Sequence, residues 1–169
     1  FKMRLLICNS KNWFSLNKEI RNSSSIKEIS KKEDLNLELI REFNPNYIFF
    51  PHWNWIVDKN IYQTQNCIVF HTAPLPYGRG GSPIQNLILN GYEYTPVCAL
   101  KMTSELDAGP IYGEITISLD GNLKSIFSRI NNAINILIIK IIKNQIIPIP
   151  QQGEPYIFKR LSEKNNEIP

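Results

Sequence analysis

Cys67-Ile-Val-Phe-His-Thr-Ala-Pro-Leu-Pro-Tyr-Gly-Arg-Gly-Gly-Ser-Pro83 decides the fold. Its first four residues form a short apolar run of strand type. His71 stands at the end of that run, and a Pro/Gly-rich loop follows. Pro83 suits the first turn of a helix, which the sequence carries to about Leu89 and closes at Asn90-Gly91. A strand that delivers one histidine into a loop and is then followed by a helix is the βα unit of an α/β protein. In such sheets ligands bind outside the carboxyl ends of the strands.

The same alternation runs outward from this segment in both directions. Met3–Cys8 reads as a first strand and residues 34–44 as a helix carrying Leu35, Leu39 and Phe43. Tyr47–Phe50 reads as a strand after the Asn44-Pro45 break, and 58–64 as a short helix. Residues 95–103 and 111–118 pair around the Glu105–Gly109 turn, and 122–145 form a long helix with Asn122 as its cap. The Ile stripe of 134–147 is its core face. Segments 21–33 and 160–169 read as polar and irregular. The expected fold is a single Rossmann-like domain over 1–169, with a mainly parallel sheet and helices on both faces. Its core spans 3–145 and a carboxyl-terminal extension covers 146–169. In that extension Ile146–Pro150 and Tyr156–Phe158 are apolar enough to pack on the core or on a second copy in a homodimer.

Composition excludes several classes. The 169 residues carry 19 Lys+Arg against 15 Asp+Glu, a net charge of +4 spread thinly along the chain. That balance suits a small anionic substrate as well as a nucleic acid and decides little between them, although the sequence shows no dense basic face for RNA. Cys8, Cys67 and Cys98 lie in apolar runs without Cys-x-x-Cys spacing, as buried reduced thiols do in a cytoplasmic protein. No uncharged apolar stretch of 18 residues and no leader is visible, so neither membrane insertion nor export is expected. A Gly-x-Gly-x-x-Gly after the first strand, a Walker loop and metal-ligand spacing are all missing, so no dinucleotide, NTP or metal site is expected.

His71 and, some 35 residues later, Asp107 in Leu106-Asp-Ala-Gly-Pro110 form the sequence picture of a base and its orienting carboxylate. Each has a plainer role open to it, as a satisfied loop histidine and as an aspartate bonding its own turn. Gly78-Arg-Gly-Gly81 would make a donor-rich loop beside the histidine, able to bind an anion through N–H groups and Arg79.

At these residues the chain resembles the 10-formyltetrahydrofolate-dependent formyltransferases. His71-Thr-Ala-Pro-Leu-Pro76 with Arg79-Gly80 and Pro83 is similar to that family's His-x-Ser-Leu-Leu-Pro, Arg-Gly, Pro signature, and Leu106–Gly109 to its Leu-Asp-Thr-Gly turn. The likeness extends from about Leu39 to Leu137. The resemblance implies catalytic roles for His71 and Asp107, with 10-formyltetrahydrofolate as formyl donor. It implies a pterin pocket from Trp53, Trp55 and Ile56 on one loop and Ser104, Glu105 and Leu106 on the other, and substrate contacts from Tyr77, Gly78 and Arg79. Pro51-His-Trp-Asn-Trp55 and 70–83 look most like the small enzymes that formylate nucleotide-linked amino sugars of the pseudaminic-acid type. The family's Asn two positions before the histidine is Val69 here. Either another group such as Asn54, His71 itself or a backbone N–H supplies the missing donor, or the chemistry is altered. The implied acceptor is a nucleotide sugar rather than tRNA, because the chain also stops short of the tRNA enzymes' second domain. Glycinamide ribonucleotide is the nearest alternative acceptor, and a binding module without catalysis is the alternative of another class.

Overall fold

A computed structural model describes residues 2–161. The elements are β1 (Met3–Asn9), α1 (Lys18–Ser23), β2 (Ser24–Ile29), α2 (Leu37–Phe43), β3 (Tyr47–His52), α3 (Lys59–Tyr62), β4 (Cys67–Thr72), β5 (Tyr77–Gly80), α4 (Pro83–Leu89), β6 (Tyr94–Lys101), β7 (Ile111–Ser118), α5 (Leu123–Lys143) and β8 (Tyr156–Phe158). A six-stranded sheet runs in the order β2-β1-β3-β4-β6-β7. The three pairings among β2, β1, β3 and β4 are parallel, whereas β4–β6 and β6–β7 are antiparallel. The class is therefore α/β with a mainly parallel, mixed sheet.

Strand alternation splits the core between the two faces. Leu5, Ile7, Phe49, Ile68, Phe70, Val97 and Ala99 pack with Ile20 of α1, Ile84 and Leu87 of α4 and the buried stripe of α5. Leu6, Cys8, Ile48, Phe50 and Cys67 face the opposite way, against Ile40 of α2 and Ile61 of α3. Helices thus cover both faces, and the two clusters explain why the central strands read as continuous apolar runs.

Local signals set most boundaries. Asn122 Oδ1 accepts from Ser125 N at 2.9 Å, and Asn36 Oδ1 from Leu39 N at 2.8 Å, each closing a helix amino terminus. Asn44 ends α2 at φ 50°, the left-handed stop that asparagine tolerates. Although α5, with 21 residues, is long and apolar enough to span a bilayer, its Ile126, Ile130, Ile134, Leu137 and Ile138 are buried against the sheet.

Three expectations are corrected. Residues 21–33, expected to be irregular, contain the end of α1 and all of β2. Asn17 caps α1 through Ile20 N at 3.0 Å, and β2 is an edge strand with only Ser24 and Ile29 buried, so it shows no apolar alternation. The helix expected from 34 begins at Leu37, after a single 3-10 turn at Lys32–Asp34. The carboxyl-terminal extension is not merely apolar packing. Tyr156–Phe158 forms β8 and pairs in parallel with β5, while Ile111 and Ile149 exchange backbone hydrogen bonds at 2.8 Å each way. Phe158 is buried, whereas Ile147, Ile149 and Ile157 stay exposed. The expectation for 160–169 falls, beyond Leu161, outside the described residues.

Candidate active site

His71 is the penultimate residue of β4, and the Pro-rich turn after Thr72 reverses the chain into β5. Gly78 sits at φ +94°, with its α-carbon so close to Ala73 and Phe158 that an added Cβ would lie 2.8 Å from each. That approach puts the Gly78 carbonyl 2.7 Å from His71 Nε2. A carbonyl only accepts, so Nε2 carries the proton of this bond and the neutral ring has its lone pair on Nδ1. Nδ1 faces Asp107 Oδ2 at 3.5 Å. Both side chains are almost fully buried, at 9% and 8% exposure, so their mutual field is little screened by water.

Asp107 arrives from the β6–β7 turn at φ 55°, a left-handed conformation uncommon for a residue with a Cβ. Three contacts fix it. Its Oδ2 accepts from Gly80 N at 3.0 Å, and its carbonyl accepts from Gln151 Nε2 at 2.8 Å. Two residues on, Gly109 lies flush against the Lys101 carbonyl, leaving no room for a side chain. The carboxylate therefore accepts a hydrogen bond from the loop N–H and lies beside the imidazole. The shorter contact is the one to Gly80, and at 3.5 Å the imidazole contact is an ion-pair distance rather than a formed hydrogen bond.

A cleft of about 820 Å³ opens over this pair. The expected cofactor residues come together on its walls, with Trp53, Trp55 and Ile56 on one loop and Ser104, Glu105 and Leu106 on the other. Trp53 and Trp55 meet edge to face at 4.9 Å between ring centres. Ile56 and Leu106 are exposed at 98% and 72% and form an apolar lip on the cleft. Val69, two residues before His71 on the same side of β4, also lines the cleft, as does Asn54. The valine adds only an apolar surface there.

Tyr77, Gly78 and Arg79 lie outside the cleft lining. Tyr77 stacks on Tyr92 and Tyr156, at 5.9 and 5.2 Å. Gly78 supplies the carbonyl already described, and Arg79 donates Nε and Nη2 to Gln151 Oε1 at 3.1 and 2.9 Å. Arg79 Nη1 is 3.8 Å from the exposed Glu105 carboxylate, a contact worth little in solvent.

Sequence reasoning missed Trp13, Arg160 and Gln151. Trp13 lines the cleft beside His52, with ring centres 6.5 Å apart, and packs on Phe127. Its loop is pinned to α5, where Asn131 Oδ1 accepts from Ser15 N and Asn135 Oδ1 from Asn17 N. An i, i+4 pair of asparagines, Asn131 and Asn135, beside the buried isoleucine stripe of α5 was the available signal. Burial, then nearby Lys11 and Arg160, lower the pKa of His52, whose Nδ1 lies 3.2 Å from Ser10 Oγ.

Comparison with known proteins accounts for the arrangement. The family model "Formyl transferase" matches residues 2–142. A methionyl-tRNA formyltransferase of Campylobacter jejuni is 32% identical over 126 residues, covering 73% of this chain and 41% of that protein. The solved methionyl-tRNA formyltransferase from Clostridium thermocellum superimposes with a TM-score of 0.88 at 35% identity, over 96% of this chain and 74% of that one. PseJ from Anoxybacillus kamchatkensis, solved with UDP-4,6-dideoxy-4-formamido-L-AltNAc and tetrahydrofolate, has the same fold, with a TM-score of 0.72 at 19% identity over 92% of this chain and 85% of that one. The chain spans about half the length of the curated relatives it matches. Carrying the family's matched region across its sheet, its histidine strand and its aspartate turn, this chain belongs to the formyl transferase family.

Proposed function

We propose that the protein moves the formyl group of 10-formyltetrahydrofolate to the amine of a nucleotide-linked amino sugar. The observation that carries this reading is the buried His71–Asp107 pair at the base of a cleft walled by loops 53–56 and 104–107. Formyl transfer needs a base for the attacking amine, donors for the oxygen that gains charge, and an acid for the departing nitrogen. His71 Nδ1 takes the amine proton while Nε2–H stays on Gly78 O, and Asp107 stabilises the imidazolium so formed. The same nitrogen then returns a proton to the leaving group. Asn54, which lines the same cleft, is one side chain able to supply the donor that Val69 lacks.

Trp53 and Trp55 give the folate's flat pterin an apolar wall, and the exposed lip of Ile56 and Leu106 is covered when that ligand is bound. A volume near 820 Å³ suits a folate headgroup and a small acceptor side by side. The net charge of +4 attracts either an anionic small molecule or RNA and does not choose between them. A folate donor and a nucleotide-sugar acceptor are both metabolites of the cytoplasm, which is where the reaction is proposed to run.

A second acceptor is favoured by a separate observation: the relatives at 30–36% identity are methionyl-tRNA formyltransferases. Incubation with 10-formyltetrahydrofolate and, separately, methionyl-tRNA or UDP- and dTDP-linked amino sugars distinguishes the two. Formylation of a sugar nucleotide alone supports the proposal, and formylation of the tRNA alone replaces it with the second reading. Folate binding without turnover on either acceptor marks a binding module.

A further inference from the structure

Gln151 closes a four-bond junction that no motif in the chain announces. Its Oε1 accepts both Nε and Nη2 of Arg79, at 3.1 and 2.9 Å, and its Nε2 donates to the carbonyls of Asp107 and Gly109, at 2.8 and 3.0 Å. Every donor and acceptor of the amide is thereby used. Arg79 lies in the strand that supplies both the Gly78 carbonyl to His71 and the Gly80 N–H to Asp107. The amide therefore ties the loop that holds the imidazole to the turn that carries the carboxylate, and it does so from a third segment.

That third segment is itself anchored at both ends. Ile149 exchanges backbone bonds with Ile111, and downstream of Gln151 β8 pairs with β5, while Asn86 Nδ2 donates to Lys159 O and Leu161 N donates to Ser82 Oγ. We infer that Gln151 is a positioning residue: it sets the aim of Asp107 at His71 by holding the aspartate turn against the Arg79–Gly80 strand. The role needs an amide. A glutamate of the same size keeps the Arg79 contact but cannot donate to the two carbonyls, and a leucine of similar bulk keeps neither. At 3.5 Å the His71–Asp107 contact has little margin, so a small shift of a turn already held at positive φ breaks it.

The inference rests on the proposed reaction for its catalytic meaning but not for its test. The chain has only two histidines, His52 and His71, so the ¹⁵N spectrum of the two imidazoles reports each ring separately in the protein without substrate. Gln151→Glu and Gln151→Leu are both expected to move the His71 ring signals toward a different tautomer balance and leave those of His52 in place. An unchanged His71 spectrum in a folded Gln151→Glu protein overturns the inference. Movement in the leucine variant that glutamate restores overturns it as well, since it would reduce the residue to an anchor for Arg79. Should the leucine variant fail to fold, the near-isosteric glutamate decides alone. In formyl transfer, Gln151→Glu is expected to lower kcat about 10- to 100-fold with KM for the folate unchanged, the effect of roughly 1 Å of misplacement. A wild-type protein that transfers no formyl group would refute the functional reading, while the imidazole spectra still decide the role of Gln151.

Discussion

Asn135 offers the most closely calculable perturbation in the molecule. It is 4% exposed in the middle of α5, and its side chain makes three hydrogen bonds. Oδ1 accepts from Asn17 N at 2.8 Å, and Nδ2 donates to Ser15 O at 3.0 Å and Asn131 O at 2.9 Å. Replacement by leucine, of nearly equal volume, leaves the Asn17 N–H and Ser15 C=O without this partner, each costing about 1–3 kcal/mol. Better helix propensity and the apolar neighbours of leucine return about 1 kcal/mol or more. The net expectation is about 2 kcal/mol lost, a fall in Tm of roughly 4–8 °C for a chain of this size. Urea titration followed by tryptophan fluorescence reads the loss as a lower midpoint at unchanged slope. Because the freed loop carries Trp13 on the cleft wall, ligand affinity should weaken in parallel. A midpoint within about 0.3 kcal/mol of wild type would refute the reasoning, showing that the loop finds water or other partners at no cost.

Other perturbations test the site and the core. His71→Ala should reduce formyl transfer by about 10²- to 10⁴-fold and leave folate affinity in place, and Asp107→Asn should lower kcat by misorienting the ring; steady-state kinetics check both. Gly109→Ala forces β6 and β7 apart at the Lys101 carbonyl and should cost more than about 3 kcal/mol, together with the Asp107 geometry, as melting and activity would show. Burial pushes the thiols of Cys67 and Cys98 up to about 12 and raises that of Cys8, with Cys67 adding to it. Folded thiols thus keep protons that the unfolded chain releases from pH 9 upward. Stability should accordingly be intact below that pH and fall above it, at about 1.4 kcal/mol per pH unit per thiol. Thiol titration in the native state at pH 8 should find all three unreactive until denaturant is added.

How much of this was legible in the sequence depended on where the physical signal resides. Cys67–Phe70 and Tyr47–Phe50 announced themselves because central strands buried on both faces are apolar throughout. Pro83 and Asn122 announced helix starts through cap chemistry that acts over three or four residues. β2 did not, because an edge strand that buries only Ser24 and Ile29 has no pattern to read. His71 and Asp107 were found from a loop and a turn of unusual composition, and the structure brings them together. Two of their supports, the Gly78 carbonyl and the Gly80 N–H, are backbone atoms that carry no residue signature. Tyr77 and Arg79 were expected at the ligand, and the structure turns both toward the carboxyl-terminal extension, where Tyr156 and Gln151 occupy them. That extension has neither helical nor strand periodicity, so contacts made across about 70 residues of sequence stayed hidden.

The central claim is most directly tested by mass spectrometry of UDP- and dTDP-linked amino sugars incubated with the protein and 10-formyltetrahydrofolate, beside methionyl-tRNA and a His71→Ala control. The account predicts the gain of one formyl group on a sugar nucleotide, dependent on His71 and absent from the tRNA. Formylated methionyl-tRNA with unmodified sugars, or sugar formylation that survives loss of His71, would contradict it.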